Sequence, residues 1–168
     1  RITGRYKELI IGEGGENIAP VPIEESVKRA CEGVSEVMLV GDKRKYNVAL
    51  VTLKAVGANG ELAGSDRLDA VAQQVNPDVC TISDAIVDQV WIDAVAAAID
   101  ATNADGQVCR NNAFKIRKFT ILPTNFSEEG GELTPTKKLK RRVVESKYAA
   151  LIERIYATNG VYIKYSLA

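Results

Sequence analysis

Apolar residues fill both parities from Val48 to Leu53, with only Thr52 interrupting. A strand with no solvent-facing side is covered on both faces, so this run predicts the central strand of a sheet. Glu36 to Val40 precedes it across the polar connection Gly41-Asp42-Lys43-Arg44-Lys45, which predicts an antiparallel hairpin whose second arm runs from Tyr46 to Val56. Phe114 to Leu122 alternates apolar residues with Lys115, Arg117 and Lys118, as a partly exposed strand does. A short β-prone segment, Glu8 to Ile11, runs into a glycine-rich loop, and Val161 to Leu167 reads as a strand or a tail.

Helical spacing accounts for the rest. Ile23, Val27, Ala30 and Cys31 share a face beyond Pro20 and Pro22, with Glu24 and Glu25 in the first turn, Lys28 and Arg29 in the last and Gly33 as the stop. A loop from Asn59 to Ser65 leads to a short helical stretch, Asp66 to Val75, ended by Pro77. Thr81 or Ser83 can cap a longer helix that places Val87, Val90, Trp91, Ala94, Val95, Ala98 and Ile99 on one face and stops near Asn103-Ala104-Asp105-Gly106. After a loop from Pro123 to Gly131, a final helix from about Leu139 carries Val144, Tyr148, Leu151, Ile152 and Ile155 as its buried stripe. The expected fold is one α+β domain, a small, mostly antiparallel sheet flanked by helices.

With 168 residues the chain is long enough to bury a core without disulfides or metals. Lys and Arg balance Asp and Glu at 22 each, so no global field draws the chain to nucleic acid or an anionic membrane. Histidine is absent, which removes Ser-His-Asp and Cys-His catalysis and the usual transition-metal ligands; no metal site is expected. Cys31, Cys80 and Cys109 are odd in number with no CxxC spacing, which favours a reducing, intracellular compartment. No apolar run approaches the roughly twenty residues that span a bilayer, and no charged-then-apolar signal opens the chain, so it reads as soluble.

Two segments could carry chemistry. Gly12-Glu13-Gly14-Gly15-Glu16-Asn17 is a glycine-rich loop of the kind whose backbone N–H groups approach phosphates, although it lacks the Gly-Lys-Ser/Thr of a Walker loop. Its bland reading is a turn between strand and helix. Lys137-Lys138-Leu139-Lys140-Arg141-Arg142 is the densest basic run, and its bland reading is a solvated helix start. Few aromatics interleave with it, so base stacking, and with it nucleic-acid binding, is the weakest reading.

Jointly these segments resemble a known pattern. Gly4-Arg5-Tyr6-Lys7-Glu8, an apolar strand, Gly14-Gly15-Glu16-Asn17-Ile18, then Pro20-Val21-Pro22-Ile23-Glu24, followed far downstream by Leu133-Thr134-Pro135-Thr136-Lys137-Lys138-Leu139-Lys140-Arg141, resemble the C-terminal domain of AMP-forming acyl-CoA synthetases. The wording is most similar to the long-chain, bubblegum-type fatty acyl-CoA synthetases, and Met38 to Tyr46 agrees. The resemblance covers most of the chain and is weakest between about Asn59 and Cys109.

The resemblance implies the C-terminal domain of the adenylate-forming fold over residues 1–168, beginning just before an interdomain hinge, with a large N-terminal domain elsewhere. It implies an ATP- and Mg²⁺-dependent reaction in two steps, acyl adenylate and then thioester with CoA, on a fatty acid. By this resemblance Arg5 contacts the adenylate ribose, Lys7 is the hinge, Lys138 is the adenylation lysine, and Gly14, Gly15 and Glu16 line the CoA channel. Gly12-Glu13 departs from the small or hydroxyl residue and alanine of relatives, and Lys137 beside Lys138 leaves the lysine open by one position. ATP and Mg²⁺ would be held mainly by the N-terminal domain, so the isolated chain is expected to be inactive. The parent is expected in the cytoplasm or peripheral to an organelle membrane, any membrane association of it not being encoded here. The alternative is a noncatalytic module of related fold that binds a protein partner or a CoA-like anionic ligand.

Overall fold

The computed structural model describes residues 9–165. A two-stranded antiparallel hairpin, β1 (Ile10–Ile11) and β2 (Asn17–Ile18), leads into helix α1 (Pro20–Ala30). Strands β3 (Val34–Val40) and β4 (Asn47–Leu53) follow, then two single-turn helices, α2 (Ala70–Gln73) and α3 (Ile82–Ala85), and the long helix α4 (Gln89–Ala104). Strand β5 (Ile116–Ile121) and helices α5 (Arg141–Lys147) and α6 (Ala149–Ala157) complete the order.

The main sheet runs β3-β4-β5, with β4 in the middle and every one of its residues buried, as its two-parity pattern requires. β3 pairs antiparallel through Val37↔Val51 and Leu39↔Ala49, while β5 pairs parallel through Ala49↔Phe119. A parallel neighbour needs a long crossover, and residues 54–115, with α2 to α4, provide it. The period-2 alternation of the strands separates two cores. Leu39, Ala49, Val51 and Phe119 face Ile23 and Val27 of α1 and Trp91, Val95 and Ile99 of α4. Met38, Val40, Val48 and Leu50 face the other way, onto Val144, Leu151, Ile152 and Ile155 of α5 and α6.

Several boundaries differ from the sequence reading. Helix α1 starts at Pro20 instead of beyond the prolines, because first-turn N–H groups have no intrahelical acceptor and a residue lacking one costs nothing there. Glu24 therefore lies past the first turn and is buried. Thr81 caps only the single turn of α3; the long helix is capped by Asp88, whose carboxylate accepts the Trp91 N–H at 3.0 Å. The break leaves Val87 exposed in the turn; within the helix Val90 faces solvent while Trp91, Val95, Ala98 and Ile99 are buried. Phe114 sits in a 3₁₀ turn ahead of β5, and the final helix breaks at Tyr148 while keeping its predicted stripe buried. Near the C-terminal end, Tyr162 makes one parallel bridge to Phe119.

Candidate functional site

The chain from Leu133 to Leu139 folds back on itself as a tight hairpin closed by the Leu133↔Leu139 bridge. Thr134 organises it. Its N–H donates to the Lys138 carbonyl at 2.9 Å, its carbonyl accepts the Lys137 N–H at 2.8 Å, and its hydroxyl accepts the Lys138 N–H at 3.1 Å. Closing so short a turn puts Lys137 in the left-handed region, φ +67°, a conformation that a lysine adopts at a cost. The next residue, Lys138, emerges exposed at the lip of a cleft of about 270 Å³.

That cleft lies between the hairpin, helix α1 and strand β3, and four cations line it: Lys28, Lys137, Lys138 and Arg141. Three are neutralised. Lys28 reaches Glu25 at 3.5 Å and Glu36 at 3.4 Å, Lys137 reaches Glu128 at 2.9 Å, and Arg141 makes a two-pronged pair with Glu24 at 2.7 and 2.8 Å. Lys138 has no side-chain partner among the described residues, so its ammonium is the charge the cleft presents outward. Burial pushes the Glu36 carboxyl above the usual carboxylate range, against the opposing pull of Lys28.

The hairpin is fastened at its base. Arg141, at the start of α5, and Glu24 are 15% and 5% exposed, and Glu24 Oε2 also accepts the Leu39 N–H of β3 at 2.6 Å. A planar guanidinium matches a carboxylate two bonds at a time, which fixes direction as well as distance. On the other side, buried Glu132 accepts the Ser127 N–H at 2.9 Å and pairs with Lys147, whose pKa it raises. Sequence reasoning missed Glu24 and Glu128 as partners. A signal existed for Glu24, a carboxylate flanking the Ile23 and Val27 stripe, since a charge placed there has to find a cation.

The glycine turn is a separate structure. Gly15 takes φ +89°, its N–H donates to the Gly12 carbonyl at 2.9 Å, and the turn leans on the β3–β4 connection through Glu13 N–H to the Arg44 carbonyl and Lys43 N–H to the Ile11 carbonyl. Gly14, Gly15 and Glu16 are exposed, and none of them lines the cleft of Lys138. Beside the turn, Arg44 pairs with Glu153 and stacks over the Tyr156 ring at 4.5 Å; the Tyr156 hydroxyl donates to the Tyr46 carbonyl at 2.8 Å. Arg5 and Lys7, the predicted ribose contact and hinge, lie outside the described residues. No set of three or more carboxylate, thiol or imidazole groups converges as a metal site among the described residues.

The family model for the AMP-binding enzyme C-terminal domain matches residues 7–86. Over those residues, just under half of its length, the chain is similar to AMP-binding enzyme C-terminal domains. It is 44% identical over 162 residues to the long-chain-fatty-acid–CoA ligase ACSBG2 of Gallus gallus, covering 93% of this chain and 21% of the relative. The Mus musculus ligase of the same name is 42% identical, with 92% of this chain and 24% of the relative covered. The chain thus spans between a fifth and a quarter of the length of these curated relatives. In three dimensions it is similar to the adenylation domain of a carboxylic acid reductase from Segniliparus rugosus, solved with AMP and a co-purified carboxylic acid. That match has TM-score 0.65 and 18% identity over 91% of this chain and 20% of that one. The corresponding domain from Mycobacterium chelonae matches with TM-score 0.66 and 19% identity, over 92% of this chain and 20% of that one. The chain therefore shares the α+β fold of the matching fifth of these adenylation domains. Among the described residues no helix is long and apolar enough to cross a membrane.

Proposed function

We propose that this AMP-binding C-terminal domain serves an ATP-dependent long-chain fatty acid–CoA ligase, and that Lys138 is its adenylation lysine. The observation that carries the reading is the ammonium of Lys138: of the four cations on the cleft, it is the one without a carboxylate partner among the described residues. The names of the relatives, long-chain-fatty-acid–CoA ligases, supply the substrate class.

In the first half-reaction a fatty-acid carboxylate oxygen bonds to the α-phosphorus of ATP and pyrophosphate leaves. Two anions approach each other, and a fixed ammonium between them stabilises the charge that accumulates, with no proton transferred. An unpaired Lys138 suits that role, and a lysine already neutralised by Glu128 does not. In the second half-reaction the CoA sulfur bonds to the acyl carbonyl carbon, the thiol proton is lost and AMP leaves. That step calls for withdrawing the lysine and admitting pantetheine, which a rigid-body turn of this domain about Lys7 accomplishes. Arg5 then meets the adenylate ribose, and the exposed turn of Gly14, Gly15 and Glu16 lines the CoA channel. Mg²⁺ accompanies ATP in a separate N-terminal domain.

The test uses the full-length protein that carries this chain. Lys138→Ala lowers fatty-acid-dependent pyrophosphate exchange by about a hundredfold or more, while thioester formation from supplied acyl adenylate stays within about twofold. Equal losses in both half-reactions, or none, refute the assignment.

A further inference from the structure

Lys137 stands one residue before the proposed adenylation lysine, and its surroundings are unusually specific for an exposed side chain. Its ammonium is held by Glu128 at 2.9 Å, the pair being 45% and 28% exposed. Its aliphatic stem lies across Gly60: a Cβ built at Gly60 would meet Lys137 Cδ and Cε at 2.9 Å, closer than real side chains come. Gly60 in turn takes φ +88° and its carbonyl accepts the Glu128 N–H at 2.8 Å, while Glu129 N–H donates to the Glu61 carbonyl at 3.0 Å. Three loops, 59–62, 127–132 and 133–139, are therefore stitched into one block around the Lys137 side chain.

This arrangement bears on Lys138 through the backbone. A residue in the left-handed region reverses the chain direction, so whatever holds Lys137 at φ +67° sets where the next side chain leaves the turn. The Thr134 bonds close the turn internally; the Glu128 pair and the Gly60 platform fix its Lys137 end against the body of the domain. The pair also cancels the charge of Lys137, so the hairpin presents a single cation at the cleft instead of two.

We propose that Lys137 is a positioning residue for Lys138, acting through Glu128 and Gly60, and that it is not itself the adenylation lysine; the inference rests on the function proposed above. It also gives the loop around Gly60, in a region where the family resemblance is weak, a part in the reaction.

Lys137→Gly separates the roles, because glycine adopts the left-handed backbone without steric cost while removing the side chain that forms the anchor. In the full-length protein it lowers the rate of pyrophosphate exchange about tenfold, with thioester formation from supplied acyl adenylate unchanged, and Lys137→Arg restores the exchange to within about twofold. Because an exposed pair contributes little to stability, the melting temperature moves by less than about 4 °C. If Lys138→Ala abolishes exchange while Lys137→Gly leaves it intact, the positioning role is wrong and the proposed function stands. If Lys138→Ala leaves exchange intact, both are wrong. A second measurement needs only the 168-residue chain: amine acylation followed by mass spectrometry labels Lys138 faster than Lys137, and Glu128→Gln closes the gap. Equal labelling in the unmodified chain overturns the anchoring regardless of activity.

Discussion

Replacing Glu24 by alanine is the sharpest test of how the hairpin is held. The substitution removes both oxygens that receive the Arg141 guanidinium at 2.7 and 2.8 Å, and it takes the acceptor from the Leu39 N–H of β3. Glu24 is 5% exposed, so water cannot replace what is lost without opening the packing of α1. Removing one partner of a buried ion pair costs about 3–5 kcal/mol. For a chain of 168 residues each kcal/mol moves the melting temperature by roughly 2–4 °C, so Glu24→Ala lowers it by roughly 6–20 °C. Glu128→Ala is the matched control: it also deletes a carboxylate facing a cation of the hairpin, but from an exposed pair worth at most about 1 kcal/mol. Glu24→Gln should fall between them, since its amide oxygen can still accept from Leu39. Thermal melts followed by circular dichroism decide the matter. If Glu24→Ala and Glu128→Ala melt within a few degrees of each other, the reasoning that burial makes Glu24–Arg141 the fastening is refuted.

Further outcomes follow from other parts of the structure. Burial holds the Glu36 carboxyl above its ordinary value, so its charged form is disfavoured by folding; a raised folded pKa adds stability below the unfolded value, near about 4.3, that is lost as pH rises through the folded one. Glu36→Gln therefore raises the melting temperature at pH 7, and the gain vanishes below about pH 4 in a pH series of melts; a gain that is independent of pH contradicts this. Gly15→Ala, which forces a side chain into φ +89°, costs about 1–2 kcal/mol and lowers the melting temperature by roughly 2–8 °C. Gly14→Ala, with nothing within 4 Å of its new Cβ, leaves the melt unchanged. The isolated chain, given ATP, Mg²⁺, CoA and fatty acids in a coupled assay, shows no turnover; robust activity would contradict the proposal that ATP is held by a separate N-terminal domain.

Much of the architecture was legible because periodicity reports burial directly. The two-parity run at Val48 to Leu53 is the buried central strand, and the stripe of Val144, Tyr148, Leu151, Ile152 and Ile155 is buried despite the break at Tyr148. Boundaries were harder where two signals compete. Pro20 and Pro22 read as punctuation, yet their missing donors are harmless in a first turn. Val87 and Val90 extend the apolar pattern of Trp91 and Val95, and only the Asp88 cap, a single residue, shows that Val87 precedes the long helix in a turn. At the site, Lys138 was legible as a motif position but its isolation was not. Whether a lysine is free depends on where Glu128 falls, and whether the hairpin is fixed depends on a partner 117 positions from Arg141. No local pattern encodes such pairs.

The fastening of the hairpin to Glu24 has a mechanical consequence. Arg141 begins a helix that packs on one face of the sheet, and Glu24 belongs to a helix that packs on the other. The ammonium of Lys138 is thus mounted on an arm fastened at the β3 edge of the sheet, where helices from its two faces meet. An untethered loop tip would sample many positions within nanoseconds to microseconds, spreading its charge over a volume. An arm bolted in this way keeps that charge in one place relative to the body of the domain, as a bracket keeps a hook.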